Sequence, residues 1–387
     1  MLLRRVASSL RSPLARRALP LALARRGLAV QSQTSYDVPK TQTAVVVEQF
    51  DAPLAIHHDW PVVQPDELLP GQVLVRMAYT GVCHSDYIIW KGEVPWTKQP
   101  PLVGGHEGAG YVAAIAKNTR TQLKVGDPVG VKFIGDSCMG CEDCRKGHEN
   151  TCADVKNHGI RIDGSFQQWC VGYADHLAPI PRNLPLHLAA PLLCAGVTSY
   201  SAIREINGAP GETVVIHGAG GGLGHLAVQY ARNLGYRVIA IDTGADKEQL
   251  VKKYGAHEFL DFKDGDLAGR VKALTNGRGA HAVAVIAGSN QAYQDAIPFL
   301  RPYGTLVAVG APMDGVIHAE VSNLLINGLR IVGSYVGSRQ DTVDTLQVSA
   351  LGDVTTEVEL SKLTDLPAVY ERMERGELNG RAVLDCA

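Results

Sequence analysis

The sequence predicts an α/β protein in which a β-rich domain precedes a doubly wound parallel sheet. Three observations predict it. Residues 43–190 read as short β-rich runs punctuated by Pro and Gly, apolar runs alternate with helical patterns from about residue 195, and a glycine cluster marks where the first of those runs meets a helix. The 387 residues suit two or three domains, and 45% hydrophobic with 20% charged residues is a globular composition. The longest nearly apolar stretch, Leu188 to Val197, is too short to span a bilayer, so no membrane partner is expected.

Taken in order, residues 1–36 hold seven Arg and no acid, with Leu2, Leu3, Val6, Leu10 and Leu14 at roughly helical spacing. Arg-rich, Ser-containing and acid-free is the composition of a mitochondrial transit peptide. We expect that peptide to occupy residues 1–27, with cleavage near Gly27–Leu28 and a matrix location; a basic tail is the alternative. Subtracting those seven from the 37 basic residues leaves 30 against 39 acidic ones, so no nucleic-acid partner is expected.

The β-rich domain is expected over 37–195, beginning with Ala44 to Glu48 and Gln72 to Tyr79. Within it, Cys138, Cys141, Cys144 and Cys152 predict a lobe at 136–153. Four thiolates within 15 residues suit a closed tetrahedral Zn2+ site that folds a lobe and polarises nothing. An iron–sulfur cluster is the rival, but seven residues rather than three precede the fourth Cys, and Ala153 rather than Pro follows it.

Residues 196–338 are expected to form the parallel sheet, with strands at Thr213–His217, Arg237–Ile241, Glu258–Leu260, Ala282–Ile286, Thr305–Val309 and Arg330–Ser334. The first strand runs into Gly218, Gly220, Gly221, Gly222, Leu223 and Gly224. This is the setting of a dinucleotide fingerprint, although its spacing departs by one residue from the strict pattern. Asp242 ends the second strand, where a carboxylate accepts ribose hydroxyls and repels a 2′-phosphate, so NAD is expected rather than NADP. Asp242 is also placed to cap the next helix. Residues 339–387 are helix-rich, end in the strand-like Arg381 to Leu384, and are expected to return to the first domain.

A second set of metal-type residues is dispersed: Cys83 in Gly81-Val82-Cys83-His84-Ser85-Asp86, His106 in Gly104-Gly105-His106-Glu107-Gly108, and Cys194 in Leu193-Cys194-Ala195-Gly196. Two thiolates and a neutral imidazole balance a Zn2+ charge and leave one coordination position open. Such a site is able to lower the pKa of a bound alcohol or water.

With Gly81-Val82-Cys83-His84, Leu102 to Gly110, Gly164-Ser165-Phe166-Gln167-Gln168 and Ile331 to Gly337, residues from about 43 to 387 resemble a zinc-dependent medium-chain alcohol dehydrogenase of the fungal type. With the leader, the chain resembles the mitochondrial isozymes. The resemblance implies a GroES-like catalytic domain, a Rossmann domain, and hydride transfer between a primary alcohol and NAD. It implies two zinc ions per subunit, one catalytic and one structural, and a homotetramer.

Residue by residue, it implies that Cys83, His106 and Cys194 bind the catalytic zinc, with Glu107 behind it as an occasional extra ligand. Asp86 would orient His106, and Ser85 would accept the alcohol proton. His84 and Arg381 would contact the pyrophosphate. Gly218, Gly221, Gly222, Leu223, Asp242, Lys247 and Phe262 would line the NAD site, with Ser334 and Val336 near the nicotinamide.

Two departures from the family pattern carry expectations. Ile88 stands where the family commonly ends a proton relay with His, which predicts slower alcohol oxidation near neutral pH. Val94, Phe133 and Ala311 are smaller than the residues of ethanol-specialised relatives, which predicts room for larger alcohols unless Trp96 refills the space. The remaining alternatives are a zinc dehydrogenase of secondary alcohols or polyols, a noncatalytic NAD-binding protein, and a zinc-ribbon nucleic-acid binder.

Overall fold

A computed structural model describes residues 36–312, 315–378 and 380–387. The expected transit peptide, 1–27, lies outside the described residues. Among those described, no single helix is long and apolar enough to cross a membrane.

The first half builds a seven-stranded sheet. Its path runs Ala178–Pro179, Pro128–Lys132, Glu107–Ile115, Gln72–Gly81, Arg381–Asp385 and Val358–Lys362, and Trp169–Tyr173 also pairs with Gln72–Gly81. Val, Ala and Met side chains alternate inward on its long strands, so Val73, Val75, Met77, Val112, Val129 and Val131 share one core with Leu366, Val369 and Tyr370 from near the C-terminus. The last strand enters antiparallel to Gln72–Gly81, with Val383 opposite Gly81 and Asp385 opposite Tyr79.

The second half forms a six-stranded parallel sheet. Its order is Glu258–Asp261, Arg237–Asp242, Thr213–His217, Ala280–Val285, Leu300–Ala308 and Arg330–Gly333. In chain order that is 3-2-1-4-5-6, the doubly wound arrangement the alternating pattern predicts. The inner strands are buried on both faces because helices cover both sides. Val215, Ile239 and Val283 face one core, whereas Val214, Ile216, Val238 and Ala282 face the other.

Strand order reverses between Thr213–His217 and Ala280–Val285, which opens a crevice at their carboxyl ends. Helix Ala195–Glu205 packs on helix Gly224–Asn233 and on helix Arg339–Ala350. Helix Arg339–Ala350 also packs on strand Ala178–Pro179 of the β-rich sheet, and from Val358 onward the chain adds strands to that sheet.

Candidate active site

Cys83, His106, Glu107 and Cys194 arrive from separate elements. Cys83 precedes helix His84–Trp90, His106 and Glu107 lie at the start of strand Glu107–Ile115, and Cys194 precedes helix Ala195–Glu205. Their ligand atoms all lie within 4.8 Å of one another, and all four residues are buried.

Asp86 organises two of them at once. One carboxylate oxygen accepts the backbone N–H of Cys83 at 3.0 Å and so caps the helix; the other accepts His106 Nδ1–H at 2.7 Å. That second bond fixes the imidazole tautomer and turns Nε2 toward Cys194 Sγ, 3.2 Å away. Cys83 Sγ lies 3.6 Å from Ser85 Oγ. His84 stands exposed, with its ring against Tyr87.

The electrostatics are those of a cation site. The bond from Cys194, assisted by His106 and Arg381, holds the Cys83 thiol well below its usual range despite burial. The same bond and burial push Cys194 up. Burial pushes Glu107 up to about 7, against the pull of Arg381. Arg381 is buried and donates to Glu107 Oε1, while Glu107 Oε2 is buried with no partner. Two thiols, an imidazole and an orphaned carboxylate oxygen facing one point are a donor set that fits Zn2+.

Arg381 is the main adjustment to the expected roles. Its guanidinium pairs with Glu107, and its aliphatic stem lies against Gly222 of the glycine loop. It thereby joins the two sites, and with Nη1 beside Gly222 and Nε unpartnered it keeps polar atoms on the glycine-loop side. The sequence carried no signal for this pair, because the two residues are 274 positions apart.

A second group, Cys138, Cys141, Cys144 and Cys152, also has its sulfurs within 4.8 Å of one another. Cys141 caps helix Glu142–Arg145 by accepting the N–H of Cys144. The four-thiol set again fits tetrahedral Zn2+.

At the mouth of the crevice lies a cavity of about 460 Å3 lined by Gly218, Gly221, Gly222, Leu223, Asp242, Lys247 and Phe262, with Ile286 and His217 on its walls. Gly218 adopts φ +86°, and a Cβ on Gly224 would stand 2.0 Å from the carbonyl oxygen of Gly218. Only glycine lets the turn close this tightly over the helix N-terminus, where free amides favour a phosphate. Asp242 accepts the N–H of Gly220 and the ammonium of Lys247, both at 2.8 Å. Its role is therefore wider than a helix cap, since it also pins the glycine loop. His217 was not foreseen. Both its ring nitrogens are buried without a hydrogen-bond partner, with Asp295 Oδ2 4.0 Å from Nε2, and burial holds its pKa low.

Between the two sites, Val94, Phe133 and Val336 pack with Ile89 and Ile160. The ring of Phe133 meets His106 at 5.2 Å and Tyr335 at 6.2 Å, which adds Tyr335 to the expected wall. Ser334 Oγ is buried and unpartnered beside it. Trp96 is 58% exposed and lies outside this cluster, so it does not refill the space. Ala311 is exposed as well.

Comparison with known proteins agrees with this arrangement. Residues 69–182 match the alcohol dehydrogenase GroES-like domain, and residues 222–350 match the zinc-binding dehydrogenase domain. An alcohol dehydrogenase of Schizosaccharomyces pombe is 43% identical over 350 residues, covering 90% of this chain and 99% of that protein. The alcohol dehydrogenase of the archaeon Aeropyrum pernix superposes with a TM-score of 0.80 at 30% identity, covering 89% of this chain and 99% of its own. Acetophenone reductase from Geotrichum candidum, solved with NAD, gives 0.78 at 26%, covering 90% of this chain and 98% of its own.

Proposed function

The chain belongs to the zinc-binding, GroES-like alcohol dehydrogenase family, and from that premise we propose that it transfers a hydride between a primary alcohol and NAD, oxidising the alcohol or reducing the aldehyde. The observation that carries this reading is the buried convergence of Cys83, His106 and Cys194 around the orphaned oxygen of Glu107, next to a dinucleotide-shaped crevice.

The residues divide the work. Cys83, His106 and Cys194 would hold the catalytic zinc, and Asp86 keeps His106 oriented through Nδ1. When bound, zinc supplies a Lewis acid that favours the deprotonated alcohol, and NAD supplies the hydride acceptor. Ser85, whose Oγ lies 3.6 Å from Cys83 Sγ, would take the alcohol proton. The apolar wall of Val94, Phe133 and Val336 excludes water from the reacting atoms. The glycine loop and the N-terminus of helix Gly224–Asn233 would hold the pyrophosphate, and Asp242 the ribose. Cys138, Cys141, Cys144 and Cys152 would hold a structural zinc.

We extend the reading in three ways. Val94 and Phe133, smaller than their counterparts in ethanol-specialised relatives, together with the exposed Trp96 support a preference for alcohols longer than ethanol. The acid-free, Arg-rich leader supports import into the mitochondrial matrix; N-terminal sequencing of mature protein from the organelle should then begin near Leu28. A homotetramer is supported by the apolar edge of the parallel sheet, where Val321, Leu325 and Ile326 are exposed beside edge strand Arg330–Gly333.

One purified sample tests the core of the proposal. We expect two zinc per chain and NAD-linked oxidation with kcat/KM rising from ethanol to hexanol and benzyl alcohol. Absence of alcohol-dependent NADH formation in zinc-replete protein would sink it, and a steep ethanol preference would sink the enlarged pocket alone.

A further inference from the structure

The four-cysteine lobe touches the reaction chamber through two side chains that lie between its third and fourth cysteines. Glu149 is 1% exposed although it carries a carboxylate. Its Oε1 accepts the backbone N–H of Arg339 at 2.6 Å and Arg339 Nε at 3.2 Å. Arg339 is the first residue of helix Arg339–Ala350, so a buried anion from the lobe sits on the N-terminus of a twelve-residue helix. The neighbouring residue, Asn150, donates Nδ2–H to the carbonyl of Tyr335 at 2.7 Å. These contacts cross 190 and 185 residues of sequence.

The segment held in this way, 334–338, forms the chamber wall. Tyr335 packs on Phe133, Phe133 packs on His106, and Val336 joins Phe133 and Val94 in one cluster. Val336 has φ +48°, a conformation a β-branched residue adopts only under outside constraint. Tie points lie on both sides of it, at Tyr335 and at Arg339. Ser338 and Asp341 complete the helix cap on their own element, but nothing local fixes the carbonyl of Tyr335.

We propose that Glu149 and Asn150 are positioning residues, through which the metal-folded lobe sets the Tyr335–Val336 wall against the alcohol site. The lobe then governs how well substrate is held, in addition to stabilising its own short chain. The kinetic part of this inference rests on the alcohol dehydrogenase reading; the structural linkage does not.

The test uses full-length, zinc-replete protein and the variants Asn150→Ala, Glu149→Ala and Glu149→Gln. Hydrogen exchange of the 335–341 amides is read beside steady-state kinetics with hexanol. We expect Asn150→Ala and Glu149→Ala to raise alcohol KM about tenfold, the scale of one lost hydrogen bond, with kcat within about threefold. Exchange at 335–341 should speed up in both, and two zinc per chain should be retained. Glu149→Gln keeps an acceptor for the Arg339 N–H and should restore KM to within about threefold of wild type.

If Glu149→Ala does not fold, Asn150→Ala, which touches only the Tyr335 carbonyl, carries the test. Unchanged exchange and unchanged KM overturn the proposal, as does a KM rise without faster exchange at 335–341. Wild-type protein that oxidises no alcohol overturns the functional reading alone, and the exchange comparison still decides the linkage.

Discussion

Asp242 shows how one side chain can set geometry and, on the function proposed, cofactor selectivity as well. It ends strand Arg237–Asp242, anchors Gly220, and is bonded to Lys247. Its charge opposes a 2′-phosphate, whereas Lys247 would favour one once released. Asp242→Ala is therefore expected to shift the NADP-to-NAD ratio of kcat/KM upward by at least about tenfold, the equivalent of roughly 1.4 kcal/mol. An unchanged ratio would remove Asp242 from cofactor selection. The Glu107–Arg381 pair makes a different demand. Both groups are buried, so removing either leaves a charge without its partner. Arg381→Leu should lower unfolding free energy in denaturant titrations by about 3–5 kcal/mol, while a loss below 1 kcal/mol would show the pair to be solvated. Ile88→His should raise alcohol turnover near neutral pH, and an unchanged pH profile would mean that the proton leaves by another route.

At the scale of elements, the short helix His84–Trp90 and the glycine loop do most of the positioning. The helix starts at a zinc-type ligand and takes its cap from the same Asp86 that orients His106, so local folding and ligand orientation are one event. In the glycine loop, Gly224→Ala forces a Cβ to within 2.0 Å of the Gly218 carbonyl, and that carbonyl belongs to backbone with little room to yield. We expect NADH affinity in fluorescence titrations to fall by more than about tenfold, with the far-UV spectrum retained; wild-type affinity would show that the turn has slack. These elements also show what was legible in the sequence. The inner parallel strands are foreshadowed by short apolar runs, because burial on both faces leaves an unbroken hydrophobic signature, whereas edge strands Glu258–Asp261 and Arg330–Gly333 are partly exposed and mark the sequence more weakly. Cysteine spacing announces the lobe because its ligands are local. The ties from Glu149 to Arg339 and from Glu107 to Arg381 leave no such mark, since a buried charge and a surface charge are the same letter until the fold brings a partner.

Across the whole molecule, stability and acidity are linked through His225. It is fully buried, donates Nδ1–H to the carbonyl of Gly221, and accepts from the N–H of Glu357 through Nε2, so it ties the nucleotide loop to the C-terminal strands. Burial lowers its pKa to about 4. The unfolded ring protonates first as pH falls, so its contribution is complete above about pH 6.5 and is lost between there and about 4, roughly 3 kcal/mol in all. His225→Gln should accordingly show a shallower fall in Tm between pH 7.5 and 4.5 than wild type; parallel curves would mean that another group governs acid sensitivity. Subunit assembly is read at the same scale. Ile326→Glu places a charge on the exposed apolar face and should shift the particle to a smaller size in sedimentation, with an unchanged size removing that face as a contact.

The strand Arg381–Asp385 lies between Gln72–Gly81 and Val358–Lys362 in the β-rich sheet. All strands of the parallel sheet come from residues 213–333, whereas the β-rich sheet lacks an interior strand until residues 381–385 have been made. Until then Glu107 waits without its counter-charge, and the catalytic ligands sit on an open-edged scaffold. Made in chain order, the parallel sheet can thus form before the sheet that carries Glu107 is closed.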